Sequence, residues 1–203
     1  MKILSVSDYV VPALNDRFEA GLFSDVDLIV SCGDLPPEYL TSLKGRLGVP
    51  LFYVKGNHDI RYDFSPPAGC MNLDSRIVRL GGLNFLGLEG SHWYNGGPYQ
   101  YTESQMRRRI RRLRFNLWLH GGIDVVIAHA PPRHIHDAED PCHIGFESFR
   151  WVIDRYRPRY FIHGHIHVNF SDAAQRISVA HQTEVVNTYG YYLFEIDSQK
   201  NRR

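Results

Sequence analysis

Short apolar runs in this sequence keep ending on side chains that can bind a metal ion. Residues 3–7 lead to Asp8, 27–32 to Asp34, 51–54 to Asn57, 125–128 to His129, and 160–162 to His165 and His167. Runs of this length read as buried strands, and longer helix-like segments separate the first three, so those strands are expected to pair in parallel through crossovers. A sheet built this way delivers its strand ends to one rim, where ligands bind. Carboxylate, amide and imidazole groups then converge there, a donor set suited to borderline divalent ions such as Mn²⁺, Fe²⁺ or Zn²⁺. Gly33, Gly56 and Gly164 stand beside these residues and permit sharp turns or close backbone approach.

The rest of the chain follows from periodicity and punctuation. Crossover helices are expected over 16–23, through Phe18, Leu22 and Phe23, and over 38–47, entered through Pro36-Pro37. Gly81-Gly82 between 76–80 and 83–88 predicts a β-hairpin. A helix over 102–119 carries Met106, Ile110, Leu113 and Leu117 on one stripe, and a second runs over 146–156. Residues 184–187 and 191–196, turned at Gly190, read as a final antiparallel hairpin. No repeat, low-complexity stretch or linker interrupts the chain, which predicts a single domain over 1–203.

Composition excludes several classes. With 43% hydrophobic residues the chain is not disordered, and three cysteines without a spaced framework argue for reduced thiols. Paired cysteines for a structural zinc site are absent. A net charge of +1 argues against attachment to nucleic acid or membrane through the overall field. No signal peptide and no apolar stretch of the ~18–20 residues a span requires are seen. The expectation is a cytoplasmic protein with no membrane partner. Arginines 107–109, 111, 112 and 114 read as the solvated face of a helix and not as a nucleic-acid surface.

The residues Gly33-Asp34, Gly56-Asn57-His58-Asp59, His129-Ala130-Pro131 and Gly164-His165-Ile166-His167, in this order and with strands before them, resemble the calcineurin-like metallophosphoesterase superfamily. The resemblance covers residues 3 to about 196. It implies an α/β fold, a four-layer α/β/β/α sandwich of two central mixed sheets flanked by helices, with two divalent ions. Asp34 would bridge them, with Asn57, His129 and His165 completing one site and Asp8 and His167 serving the other. His58 would contact substrate phosphate and protonate the leaving oxygen, with Asp59 orienting it. A metal-bridging hydroxide would attack phosphorus in line.

One position departs from that pattern. The family's first motif is Asp-x-His, and here it reads Asp8-Tyr9-Val10. Valine cannot ligate a metal, so the resemblance implies a weaker or differently selective second site. The retromer scaffold subunit resembles this fold without being an enzyme, so a non-catalytic interaction module is the competing reading. Gly33-Asp34-Leu35-Pro36 lacks the Val-Asp-Arg-Gly that follows the Gly-Asp in the family's protein phosphatases. A small phosphodiester or phosphomonoester, nucleotides included, is the expected substrate. Asn57, His58 and His92 are candidate substrate contacts, the last in a polar-aromatic loop over 91–97. His163 reads as strand-end structure, His134, His136 and His143 as solvated loop residues, and His120 and His181 as structural.

Overall fold

The computed structural model describes residues 1–15 and 20–197. Strands β1 (Lys2–Ser7), β2 (Leu28–Ser31), β3 (Leu51–Tyr53) and β4 (Met71–Asn72) lie side by side in parallel. Strand β13 (Gly190–Glu195) closes the other edge, antiparallel to β1. The second sheet comprises β5 (Ile77–Leu80), β6 (Leu83–Leu88), β9 (Val125–Ala128), β10 (Tyr160–His163), β11 (Ile177–Ala180) and β12 (Thr183–Asn187). Its order is β11-β12-β10-β9-β6-β5, parallel in the middle and antiparallel at both edges. Strands β7 (Ser91–His92) and β8 (Gln100–Tyr101) form a separate ribbon.

Alternation along the strands creates three apolar layers. Ile3, Leu28, Val30, Phe52, Phe85, Val125, Ile127 and Ile162 meet between the two sheets. Their neighbours Leu4, Val6, Ile29 and Leu51 turn outward onto Tyr39, Leu40 and Leu43 of α1 (Pro37–Leu47). On the other side, Leu86, Leu88, Val126 and Phe161 cover α2 (Glu103–Arg112), α3 (Arg114–Leu119) and α4 (Glu147–Tyr156). The sandwich is therefore helix, mixed sheet, mixed sheet, helices. Both faces of each sheet are covered, which is why the central strands read as apolar runs and not as alternating ones.

Three expectations need correction. The crossover helix over 16–23 falls partly outside the described residues, and its described end, Ala20–Phe23, is a 3₁₀ turn. The long helix over 102–119 is two helices. Thr102 and Gln105 form a reciprocal capping box at its start, and Leu113 ends α2 with its N–H bonded to Ile110 O. The apolar stripe survives that break, since Met106, Ile110, Leu113 and Leu117 are all buried. The C-terminal hairpin does not exist: β12 pairs with β10 and β11 in one sheet, while β13 pairs with β1 in the other. Thr188 and Tyr189 carry the chain across, with Thr188 Oγ1 donating to Ser5 Oγ and Thr188 N–H bonded to His163 O.

Candidate metal centre

The carboxyl ends of β1, β2, β3, β9 and β10 bring the expected donors to one rim. Asp34, His129 and His165 offer ligand atoms that all lie within 4.8 Å of one another. His129 is fully buried and donates Nδ1–H to Cys32 O at 2.7 Å, which leaves Nε2 facing Asn57 Oδ1 at 3.0 Å and Asp34 Oδ2 at 3.4 Å. His165 donates Nε2–H to Cys142 O at 2.6 Å and keeps Nδ1 free. Each imidazole is thus oriented through its other nitrogen by a backbone carbonyl, the arrangement that fixes tautomer and direction in metal sites.

The turns that place these donors are constrained. Asp8, Asp34 and His165 have φ of 61°, 55° and 68°, a left-handed conformation that non-glycine residues rarely adopt and that costs on the order of 1 kcal/mol each. A Cβ at Gly56 would run into Asp34 Oδ1, and one at Gly164 into Asp8 Oδ2. Asp59 is buried, and its Oδ2 accepts the backbone N–H groups of Asp34 and Gly56, both at 2.8 Å. The Asp59 carboxylate thus braces the Asp34 turn, and none of its hydrogen bonds among the described residues reaches the His58 ring. His58 is exposed at the rim, and its backbone N–H donates to Asp34 Oδ1 at 2.9 Å.

The second half of the rim is less complete. The Asp8 carboxylate is fully buried; Oδ2 accepts His165 N–H at 2.9 Å, whereas Oδ1 has no hydrogen bond among the described residues and faces His167 Nε2 at 3.4 Å. His167 is 58% exposed along its side chain and stacks on Tyr189 with ring centroids 4.9 Å apart. Val10 packs against the apolar layer beneath α1, beside the cluster of Leu14, Phe23 and Tyr39.

Electrostatics show what the rim demands. Burial pushes the Asp34 carboxyl up, but the His129 charge and hydrogen bond, with the His58 N–H, hold it at about 2. Burial opposes the His129 proton, yet Asp34 and Asp8 raise the ring to about 9. Burial and the neighbouring His129 charge hold His165 down at about 4. Burial, then repulsion from Asp34, lifts Asp59 to about 7. His167 is raised, mainly by Asp8. Lone pairs of Asp34, Asn57 and His129 point at one another, and a proton on Nε2 would relieve them. A divalent cation fits the same donors, and the unbonded, buried Asp8 oxygen is a second place for positive charge.

A family model described as calcineurin-like phosphoesterase matches residues 1–169. The chain belongs to that family. Calcineurin-like phosphoesterases also stand among its structural neighbours. YfkN of Bacillus subtilis superposes with a TM-score of 0.54 at 14% identity, covering 95% of this chain and 83% of that one. TT1561 of Thermus thermophilus gives a TM-score of 0.63 at 16% identity over 93% and 89%. GAP50 of Plasmodium gives 0.56 at 13% identity over 92% and 70%. No curated protein matches the chain.

Within this calcineurin-like phosphoesterase fold, several neighbours of the rim escaped the sequence reading. Tyr94 accepts Asn57 Nδ2–H at 3.2 Å, whereas His92, the residue expected from that loop, packs on Phe146 at 5.4 Å between ring centroids. His143 lies 5.3 Å from the His165 ring and bonds Asp140 through Nδ1 at 2.9 Å. His136 is not solvated: it links His163 to Ser178 Oγ, both at 2.9 Å. His163, fully buried, continues this chain to Gly164 O and supports the turn before His165. A proline-rich loop gives no periodic signal, so only the fold reveals which of its histidines turn inward.

Proposed function

We propose that this protein is a metal-dependent phosphoesterase acting on a small phosphodiester or phosphomonoester, nucleotides included. Two divalent ions are proposed, manganese being the first to test, with Fe²⁺ and Zn²⁺ the other candidates. Asp34, Asn57, His129 and His165 hold one, and Asp8, Asp34 and His167 hold the second. When bound, such a pair activates water and neutralises the charge that develops on phosphoryl oxygens.

The chain's own residues do the rest. Asp59 fixes the turn that aims Asp34, and the Cys32 and Cys142 carbonyls hold both imidazoles in the ligating tautomer. His58 stands at the rim with its ring in solvent, where it meets the leaving oxygen and gives it a proton. Asn57 turns Oδ1 toward His129 because Tyr94 takes its amide N–H. Substrate enters at the rim, beside the loops that carry Tyr94 and His143. Three free thiols suit a reducing compartment, which supports a cytoplasmic location.

The observation that carries this reading is the convergence of Asp34, Asn57 and His129 around one point. The test is hydrolysis of bis-p-nitrophenyl phosphate and p-nitrophenyl phosphate after reconstitution with Mn²⁺. Metal-dependent turnover that falls on His58→Ala, with metal content retained, is the expected result. No turnover across a broad phosphoester panel would sink the proposal and leave an interaction module on the same fold.

A further inference from the structure

The arginine run takes no part in the rim chemistry. Residues 104–123 contain six arginines and no acidic residue, in a chain whose net charge is only +1. The fold sorts these arginines. Arg109 turns inward, pairs with Asp74 and Glu89, and lies over the Tyr101 ring. Arg107 reaches Glu103 at 3.6 Å. Arg108, Arg111, Arg112 and Arg114 are exposed, with no carboxylate partner among the described residues. The neutrality of the whole chain therefore hides a strongly basic outer face.

Beside those arginines, α3 exposes large apolar side chains. Phe115, Trp118 and Leu119 are 66%, 74% and 58% exposed, while Leu117 anchors the helix in the core. Their spacing puts them on one side of α3. Trp151 of α4 lines an adjoining cleft of about 320 Å³ with Ile110, Ser148, three arginines (Arg107, Arg111 and Arg114) and one carboxylate, Glu147. A soluble surface rarely gathers apolar groups this large without a partner.

We infer that the α2–α3 face docks on an anionic phospholipid bilayer. Phe115, Trp118 and Leu119 enter the boundary between headgroups and acyl chains. Arg108, Arg111, Arg112 and Arg114 lie at the phosphate level, the division of labour of an interfacial helix. A nucleic-acid strand needs open ring faces for stacking. Here Phe115 and Trp118 share one tilted contact, with centroids 6.0 Å apart and planes at 30°, and the exposed Leu119 is an aliphatic side chain suited to acyl chains and not to bases. A second copy meeting this face about a two-fold axis would set arginines against arginines. The face belongs to the outer helical layer, so docking leaves the strand-end rim free.

The experiment is sedimentation of the full chain with vesicles of phosphatidylcholine containing about a quarter phosphatidylglycerol, against phosphatidylcholine alone. Binding is expected to the anionic vesicles only. Arg111→Gln with Arg114→Gln should weaken it about 30-fold, from roughly 1 kcal/mol per basic side chain. Phe115→Ser with Trp118→Ser should abolish it. A blue shift of tryptophan emission on binding should fall sharply in Trp118→Phe, leaving only what Trp151 in the adjoining cleft contributes. All these side chains are exposed, so an unchanged unfolding midpoint verifies the fold of each variant. No binding to anionic vesicles at about 0.1 M salt overturns the inference. So does binding indifferent to these substitutions, tighter binding of a single-stranded oligonucleotide through the same arginines, or dimerisation that buries Trp118.

Discussion

The two halves of the rim reach opposite degrees of readiness with similar residues. Around Asp34 the Asn57, His129 and His165 donors are buried, and each imidazole is held by a backbone carbonyl. Around Asp8 the carboxylate is equally buried, yet its partner His167 is mostly exposed, and position 10 supplies a valine packed into the layer beneath α1. Burial therefore does not distinguish a finished site from an unfinished one; the hydrogen bonds behind the ligands do. On the proposed function, an ion in the first half would meet fixed donors, whereas one in the second would have to take solvent as part of its shell. Removing a ligand from each half should separate them most sharply. His129→Ala is expected to lower affinity for the first Mn²⁺ by more than ~100-fold, since loss of a supporting partner alone costs about 10–100-fold. Turnover should vanish with it. His167→Ala should leave the first binding event intact and remove only the weaker second one. Calorimetric titration reads both, and two equal, tight ions in the wild type would break the comparison.

Proton competition sharpens it further. His129 in the metal-free protein holds its second proton to about pH 9, so an ion entering the first half must displace that proton below this pH. Apparent Mn²⁺ affinity should rise up to ~tenfold per pH unit from 6.5 to 8.5 and level off as pH 9 is approached. His165, held near 4, is already neutral across that window and adds nothing to the slope. The same shift has a stability sign. His129 is raised above its ordinary 6.5, so its contribution to the metal-free fold is complete below pH 6.5 and lost as pH rises through about 9. A flat affinity profile across that window would show that His129 carries no such proton.

The first half was also the more legible one in the sequence. Asp34, Asn57, His129 and His165 each follow a buried strand, and the run of apolar residues, then glycine or a turn, then a polar donor is a local signal. The sheet pairing of the first three strands was readable for the same reason. The support of the second half was not local. Tyr189, which stacks on His167, lies in the two-residue step that looked like a hairpin turn. That step crosses between sheets because β13 pairs with β1, nearly the whole chain away, and no window around residue 190 contains this partner. The role of Asp59 was hidden likewise, since backbone N–H groups at Asp34 and Gly56 leave no trace in residue types.

Position 10 tests whether the second half lacks only a side chain. Val10 is half-buried and packs against the apolar layer that contains Leu14, Phe23 and Tyr39, two residues after the left-handed Asp8. A histidine that kept this packing would lie in apolar surroundings instead of beside His167. Val10→His is thus expected to leave Mn²⁺ stoichiometry and affinity unchanged while lowering stability by about 1–3 kcal/mol, the usual cost of a poorly partnered polar group. Calorimetry and chemical denaturation measure the two effects. A second ion bound as tightly as the first would mean that the loop after Asp8 can turn its side chain to the rim.

The smallest effect comes from the loop over 91–97, which carries both His92 and Tyr94. Tyr94 accepts the Asn57 amide N–H at 3.2 Å, which commits Asn57 Oδ1 to the His129 side. Without the phenol oxygen, Asn57 can turn its amide either way, and its oxygen faces the ion only part of the time. Tyr94→Phe removes a neutral hydrogen bond of about 0.5–1.5 kcal/mol, so affinity for the first ion should fall roughly two- to tenfold, with the unfolding midpoint little changed. His92→Ala should leave that affinity alone, because His92 touches Phe146 and not the ligands. The reverse outcome, in which His92→Ala weakens substrate binding and Tyr94→Phe changes nothing, would return the loop's functional role to the histidine. It would also mean that Asn57 is oriented by the ion it binds, which would make the first half less prepared in advance than its hydrogen bonds indicate.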